Sequence, residues 1–215
     1  MKLAVFGTGM VGNTIASKLV ALGHDVKMGS RDALNEKAAA WVKSAGPHAS
    51  QGTFADAAAF GELAFNCTSG DGALPAVTAA GAANLAGKIL IDVSNPLDFS
   101  KGRPPTLSVC NTDSLGEQIQ RALPDTKVVK TLNTVNCQVM VNAAALPGEH
   151  DLFVSGNDAA AKAQVTEHLK GWFGWKNVID LGDISTARGP EMLLAIWIAL
   201  MGALKTPMFN FHIVK

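Results

Sequence analysis

Lys2-Leu3-Ala4-Val5-Phe6 runs directly into Gly7-Thr8-Gly9-Met10-Val11-Gly12, and an apolar-periodic stretch then continues to Leu22. This reads as a strand, a tight glycine turn and a helix N-terminus. The three glycines have separate tasks: one makes the turn, one lets the backbone approach a pyrophosphate, and Gly12 lets the helix pack closely on the strand. The unpaired N–H groups of the helix start then face the phosphates. A second strand, His24-Asp25-Val26-Lys27-Met28, follows at the spacing of a dinucleotide-binding βαβ unit. The alternative is a glycine-rich turn with a purely structural role. On the dinucleotide reading, Gly7, Thr8, Gly9, Met10, Val11 and Gly12 form the phosphate loop.

The residues after the second strand select the dinucleotide. An NAD site usually places Asp or Glu there for the ribose 2′-OH. Here the strand ends in Gly29-Ser30-Arg31, and Lys37 lies one to two helical turns further on. A hydroxyl and a planar guanidinium fit a 2′-phosphate that a carboxylate would repel. NADP is therefore expected on Ser30, Arg31 and Lys37. Under the competing reading those cations are solvated surface groups, Asp32 reaches the ribose, and the cofactor is NAD.

Strands alternate with helices along the rest of the chain, which predicts an α/β, Rossmann-like doubly wound parallel sheet with a small C-terminal α/β and helical extension. Leu63-Ala64-Phe65-Asn66-Cys67 and Lys88-Ile89-Leu90-Ile91-Asp92-Val93 read as buried strands. Their carboxyl ends, Thr68-Ser69 and Asn95-Pro96, fall by topology in the ligand crevice, although ordinary turn chemistry would use the same residues. A proline-containing loop around Arg103-Pro104-Pro105 precedes a helix from about Asp113 to Leu123. A strand at Lys127–Leu132 then ends in Asn133-Thr134-Val135-Asn136-Cys137. Asn133, Thr134 and Asn136 are candidates to line an acceptor pocket, or they merely cap the strand. The organisation read from this is a dinucleotide-binding core over residues 1–126, with a subdomain over 127–215 that completes the acceptor site.

The last helix is expected to start at Gly189-Pro190-Glu191, with Pro at the first helical position. Its body, Met192–Ala203, is apolar on every face. Such a helix is expected to be buried, in the core and in part against a second copy of the chain, and at about fifteen residues to be too short for a bilayer. The tail Met208–Val214 reads as an edge strand or as an arm on a partner.

Composition narrows the function further. With 215 residues and 18 basic against 18 acidic side chains, the net charge is zero, so neither nucleic acid nor an anionic membrane is the expected partner. Residues 1–6 read as a strand rather than a signal sequence, and three widely spaced cysteines read as free thiols, so a cytoplasmic protein is expected. No His/Cys spacing fits a metal site. The chain has no Tyr, which removes the Tyr-Lys proton relay of short-chain dehydrogenases. His150 beside Asp151 is a poor general acid, since neighbours in a strand point to opposite faces. A nicotinamide site without an acid or base fits an acceptor that takes hydride alone, such as a flavin-like ring.

The sequence resembles the NADP-dependent oxidoreductases that use the deazaflavin coenzyme F420, over essentially the whole chain. The resemblance rests on Gly7 to Gly12, Gly29-Ser30-Arg31, Asp92-Val93-Ser94-Asn95-Pro96, Lys130-Thr131-Leu132-Asn133-Thr134, Val154-Ser155-Gly156-Asn157-Asp158 and Ala187-Arg188-Gly189-Pro190-Glu191. The chain is also similar to the cytosolic reductase domain of certain eukaryotic metalloreductases. The family resemblance implies NADP held by Thr8, Ser30, Arg31 and Lys37, and direct hydride transfer to a deazaflavin or flavin co-substrate with no side-chain acid or base. It also implies a homodimer formed through the C-terminal part. The other readings are an NADPH-dependent reductase of a different small acceptor or metal chelate, and a non-catalytic NADP-binding redox sensor.

Overall fold

A computed structural model describes residues 1–215. The strands are β1 Lys2–Phe6, β2 Asp25–Ser30, β3 Ala49–Thr53, β4 Leu63–Asn66, β5 Ile89–Asp92, β6 Leu97–Asp98, β7 Thr106–Leu107, β8 Lys127–Lys130, β9 Asp151–Ser155 and β10 Asn177–Gly182. The α-helices are α1 Met10–Ala21, α2 Glu36–Ala45, α3 Phe54–Phe60, α4 Gly70–Ala80, α5 Ala82–Leu85, α6 Leu115–Ala122, α7 Cys137–Met140, α8 Ala159–Phe173, α9 Arg188–Met192 and α10 Leu194–Leu204.

Eight strands form one sheet in the order β10-β9-β8-β5-β4-β1-β2-β3. From β3 to β8 all pairings are parallel, the strand order of a dinucleotide-binding fold, and the sheet is doubly wound as expected. β9 then joins antiparallel to β8 and β10 pairs parallel to β9, so residues from 127 onward extend the same sheet. The central strands are buried on both faces and correspondingly apolar. One apolar layer packs them under α1, α2, α7 and α8, and the other under α3, α4 and α6.

The sheet's order reverses between β1, which continues to β2, and β4, which continues to β5. That switch point is where an open α/β sheet leaves a crevice at its carboxyl edge. Between β5 and α6 the chain forms the antiparallel β6–β7 hairpin, read from the sequence only as a proline-containing loop.

The C-terminal helix departs from expectation in three ways. A 3-10 turn at Ile184–Ala187, started by Asp183 accepting from Ser185 N, runs directly into α9. Pro190 is therefore the third residue of α9 rather than the first helical residue. The continuous helical run Ile184–Leu204 is 21 residues, so by length and composition it is long and apolar enough to cross a bilayer, unlike the shorter helix read from the sequence. Finally, α10 is not buried: of its residues only Leu194 is, and Ile196 and Leu204 stand 48% and 53% exposed. Apolarity was legible, but the helix is covered only in part, among others by the tail, whose Phe209 ring stacks on Trp197. The tail is not an edge strand. It folds back on its own chain, where Asp151 N donates to Phe211 O and Asn210 Nδ2 donates to Asp151 O.

A titratable cluster lies away from the crevice. The His168 ring stacks on Trp172 at 3.9 Å and 8°, and His24 approaches the same indole at 5.0 Å. Burial, aided by the N-terminal ammonium, pushes His24 below the ordinary histidine value; burial, aided by His24, does the same for His168. The unfolded chain takes up these protons at about pH 6.5. The folded state thus binds fewer protons just below that pH, and stability falls as pH drops from about 6.5 towards the lowered folded values. Thermal unfolding between pH 7.5 and 5 is expected to show this loss, and His168→Gln is expected to flatten it. An unchanged slope in the variant would contradict the assignment; the paired carboxylates titrate lower.

Candidate functional site

The phosphate loop has the geometry its glycines require. Gly7 has φ +111°, a left-handed conformation, and a Cβ there would lie 2.9 Å from Cys67 O. A Cβ on Gly12 would lie 2.1 Å from Gly7 O, so only glycine lets α1 pass this close to the turn. Gly9 caps α1 with no side-chain hydrogen bond, and beside its Cβ position there is open space. The first N–H groups of α1 are therefore unopposed, with no acidic residue in the first turn. An anionic pyrophosphate fits this arrangement.

Beside the loop, a groove is lined by Thr8, Gly9, Met10, Asn13 and Thr14 on one side and by Lys37, Ala40, Trp41 and Ser44 of α2 on the other. Asn35 caps α2 by accepting from Lys37 N and Ala38 N, which places Lys37 in the first turn facing the phosphate loop. Arg31 is exposed just past the end of β2. Ser30 is buried, and its hydroxyl donates to Asp32 O. The Asp32 carboxylate accepts from Leu34 N at 2.9 Å, so it is engaged in its own turn. At the end of β2, Arg31 presents an exposed guanidinium, the group that suits a 2′-phosphate, while one carboxylate oxygen of Asp32 is held in its own turn.

At the switch point lies a cleft of about 550 Å³. Val11, Cys67 and Thr68–Asp71 form one side, Val93–Asn95 the floor, and Leu97–Ser100 with Ser108 the outer wall. Thr68, Ser69 and Asn95, expected at the carboxyl ends of their strands, line this cleft. Pro96 lies beside them, its carbonyl accepting from Ser108 N to close the hairpin. Ser69 caps α4 without using its hydroxyl on the helix. Gly70 is a cleft residue the sequence did not flag: its Cβ would sit 2.1 Å from Asn95 O, so the start of α4 and the β5 loop meet only because it is glycine.

Asn133, Thr134 and Asn136 do not line this cleft. Asn136 caps α7 by accepting from Gln138 N. Thr134 is buried. Asn133 lies behind the floor, where its Nδ2 donates to Asn95 Oδ1 at 2.9 Å and its carbonyl accepts from Asn95 Nδ2 at 2.9 Å. Helix-capping chemistry and burial explain these polar residues. His150 is also structural, with Nε2 at 3.0 Å from Ala143 O and Nδ1 at 3.0 Å from Asn210 Nδ2.

Under the cleft lies a charged network that sequence reasoning missed. Lys130 Nζ donates to Asp92 Oδ2 at 2.7 Å and to Ser94 O at 2.6 Å, and pairs with Glu191 Oε1 at 2.7 Å. Asp92 also accepts from Asn66 Nδ2 and from Ser94 N and Oγ. Glu191 also accepts from Leu115 N and Gly116 N at the start of α6. Burial alone would lower the Lys130 pKa, but the Asp92 and Glu191 carboxylates outweigh it and hold the ammonium above its ordinary value. Burial, with help from Asp92, pushes the Cys67 thiol up, so it stays neutral. The backbone N–H and hydroxyl of Ser100 pull Asp98 down, so it stays ionised. The cleft contains no histidine, lysine or tyrosine; its acidic side chains are Asp71 and Asp98.

The fold, the phosphate loop and this cleft define a nicotinamide-dinucleotide oxidoreductase of the doubly wound class. Residues 2–96 match the family described as NADP oxidoreductase, coenzyme F420-dependent. A crystal structure from Arthrobacter sp. FB24, described as an F420-dependent NADP-reductase, is 56% identical, with 100% of both chains covered and a TM-score of 0.95. The metalloreductase STEAP3 of Rattus norvegicus is 28% identical over 207 residues, which span 96% of this chain and 38% of that protein. A hypothetical protein of Sinorhizobium meliloti, 24% identical with a TM-score of 0.67 over 86% of this chain and 87% of its own, shares the fold.

The chain belongs to the coenzyme F420-dependent NADP oxidoreductase family. It is an NADP-dependent oxidoreductase.

Proposed function

We propose that the protein transfers hydride directly between the nicotinamide of NADP(H) and the ring of a deazaflavin acceptor, with a flavin ring as a related acceptor. The observation that carries this reading is the cleft itself, roomy enough for a nicotinamide and the edge of a second ring and lined by no histidine, lysine or tyrosine. A carbonyl or imine acceptor needs a proton with its hydride, whereas a flavin-type ring can exchange protons with solvent. When bound, the nicotinamide supplies the hydride. The protein's own residues bind, orient and exclude water: the Gly7–Gly12 loop holds the pyrophosphate, Arg31 and Lys37 the 2′-phosphate, and Thr68, Ser69 and Asn95 line the nicotinamide end. The relative from Arthrobacter, described as F420-dependent, supports the acceptor class.

The 28% likeness to a metalloreductase favours a second reading, in which a metal chelate is the final acceptor. An acceptor panel separates the two. NADPH oxidation is expected to be fast with oxidised deazaflavin, slower with FMN and negligible with a ferric chelate alone. Fast chelate reduction without a flavin-type ring would reverse the assignment, and tight NADPH binding without turnover on any acceptor would point to a sensor.

Arg31→Ala is expected to weaken NADPH by roughly 1.5–3 kcal/mol, the value of a charge-assisted contact, while leaving NADH nearly unchanged. Titration of both dinucleotides checks this; equal losses would remove Arg31 from the 2′-phosphate site.

A homodimer through α10 belongs to the same proposal, since an apolar helix with Ile196 and Leu204 exposed gains most by covering them with a second copy. The free thiols Cys67, Cys110 and Cys137 are consistent with a reducing, cytoplasmic setting.

A further inference from the structure

We infer that α9 is a positioning element for the nicotinamide end of the cleft, acting through Glu191 and Pro190 on the Ser94–Asn95 floor. Two separate connections reach that floor from behind. In one, Glu191 holds Lys130, whose Nζ donates to Ser94 O at 2.6 Å. In the other, the Pro190 carbonyl accepts from Asn133 Nδ2 at 3.1 Å, and Asn133 is paired with Asn95 by hydrogen bonds in both directions.

The backbone between Lys130 and Asn133 is itself held in an unfavourable state. Leu132 has φ +62° and is fully buried, a left-handed conformation that a branched-chain residue adopts only when its surroundings impose it. The turn carries the chain from Lys130, which braces Ser94, to Asn133, which braces Asn95. Both braces end on consecutive residues of α9.

Glu191 does more than hold the cation. By accepting from Leu115 N and Gly116 N it fastens α9 to the start of α6, fixing the position from which the braces act. Ser94, Lys130, Asn133 and Glu191 are buried and paired, and the half-buried Asn95 is paired through both ends of its side-chain amide, so a shift of α9 has little slack to absorb it before the floor moves. The adenosine end, at Gly7–Gly12, Arg31 and Lys37, shares none of these contacts. The relay therefore governs the orientation of the nicotinamide rather than the affinity for the dinucleotide. This inference rests on the nicotinamide lying over Asn95, as proposed above.

The test separates those two claims. Glu191→Gln and Asn133→Ala are each expected to leave the NADPH dissociation constant within about twofold while lowering kcat by about 10- to 100-fold per folded molecule, the scale of a small misalignment. The emission of bound NADPH, which reports the nicotinamide's surroundings without any acceptor, is expected to move towards that of free NADPH in both variants. Asn133→Ala leaves the Lys130 charge network intact, and thermal unfolding of each variant gives the folded fraction. Asn95→Ala is the control for placement. If it leaves the bound emission unchanged, the nicotinamide does not lie over Asn95. If it shifts the emission while Glu191→Gln and Asn133→Ala do not, the relay is wrong. Losses of kcat that only follow the folded fraction, or that come with an equal loss of NADPH affinity, would also overturn the positioning role.

Discussion

A Gly9→Val variant is expected to fold normally and to lose NADPH and NADH together. The fold tolerates a side chain there, because beyond its own chain neighbours nothing lies within 4 Å of the Cβ position and the backbone is in an ordinary extended conformation. The space is where the phosphate loop and the open N–H groups of α1 converge, so a branched side chain displaces the pyrophosphate. Losing two charge-assisted contacts of about 1.5–3 kcal/mol each lowers affinity by about 10²- to 10⁴-fold for either dinucleotide. Gly12→Val gives the informative contrast. Its Cβ would meet Gly7 O at 2.1 Å, so that variant is expected to lose stability as well as binding. Circular dichroism with dinucleotide titration checks both; normal affinity in a folded Gly9→Val protein would make the loop a structural turn only.

The largest stability effect is expected at Lys130. Lys130→Met keeps the volume but leaves Asp92 and Glu191, both essentially buried, facing each other without their shared cation. Removing one partner from a buried ion pair costs about 3–5 kcal/mol, a large part of the stability of an ordinary domain. For a chain of this size that lowers the unfolding temperature by about 6–20 °C. Adding Glu191→Gln to Lys130→Met is expected to recover part of the loss. A single variant melting within 2 °C of the wild type, roughly 1 kcal/mol or less, would contradict the network's role.

Much of this architecture was legible in the amino-acid sequence, because its signals are local. The run Lys2–Phe6 into Gly7–Gly12 needs only a strand, a turn and a helix start, and Thr68, Ser69 and Asn95 follow from strand ends at a known topological position. Features resting on distant pairings were not legible. Glu191 and Lys130 lie 61 positions apart, and no pattern in either segment announces that one neutralises the other. The β6–β7 hairpin has two residues per strand, too short for an alternation to show, and Pro104-Pro105 reads more strongly as a loop. Asn133 and Asn136 were attractive as ligand contacts because polar residues follow a buried strand. The structure gives them other partners, as capping and bracing groups. The exposure of α10 was hidden for a different reason: hydrophobicity states that a surface is to be covered, and not by what.

Gly70 was recoverable in principle. A glycine just after a strand end, opening a helix, is the pattern that gave weight to Gly9 and Gly12. At Gly70 it marks a close approach between α4 and the β5 loop that shapes the cleft wall.

Direct hydride transfer is tested most directly by isotope. NADPH deuterated on the transferable face of its nicotinamide, incubated with the protein and oxidised deazaflavin in ordinary water, is expected to deliver its deuterium to the deazaflavin ring carbon, which does not exchange with solvent. Retention of the label there, in proportion to the NADPH consumed, is the predicted result. Protium in the reduced ring with deuterium released to water would show a proton-exchanging intermediate between the two rings and contradict the account.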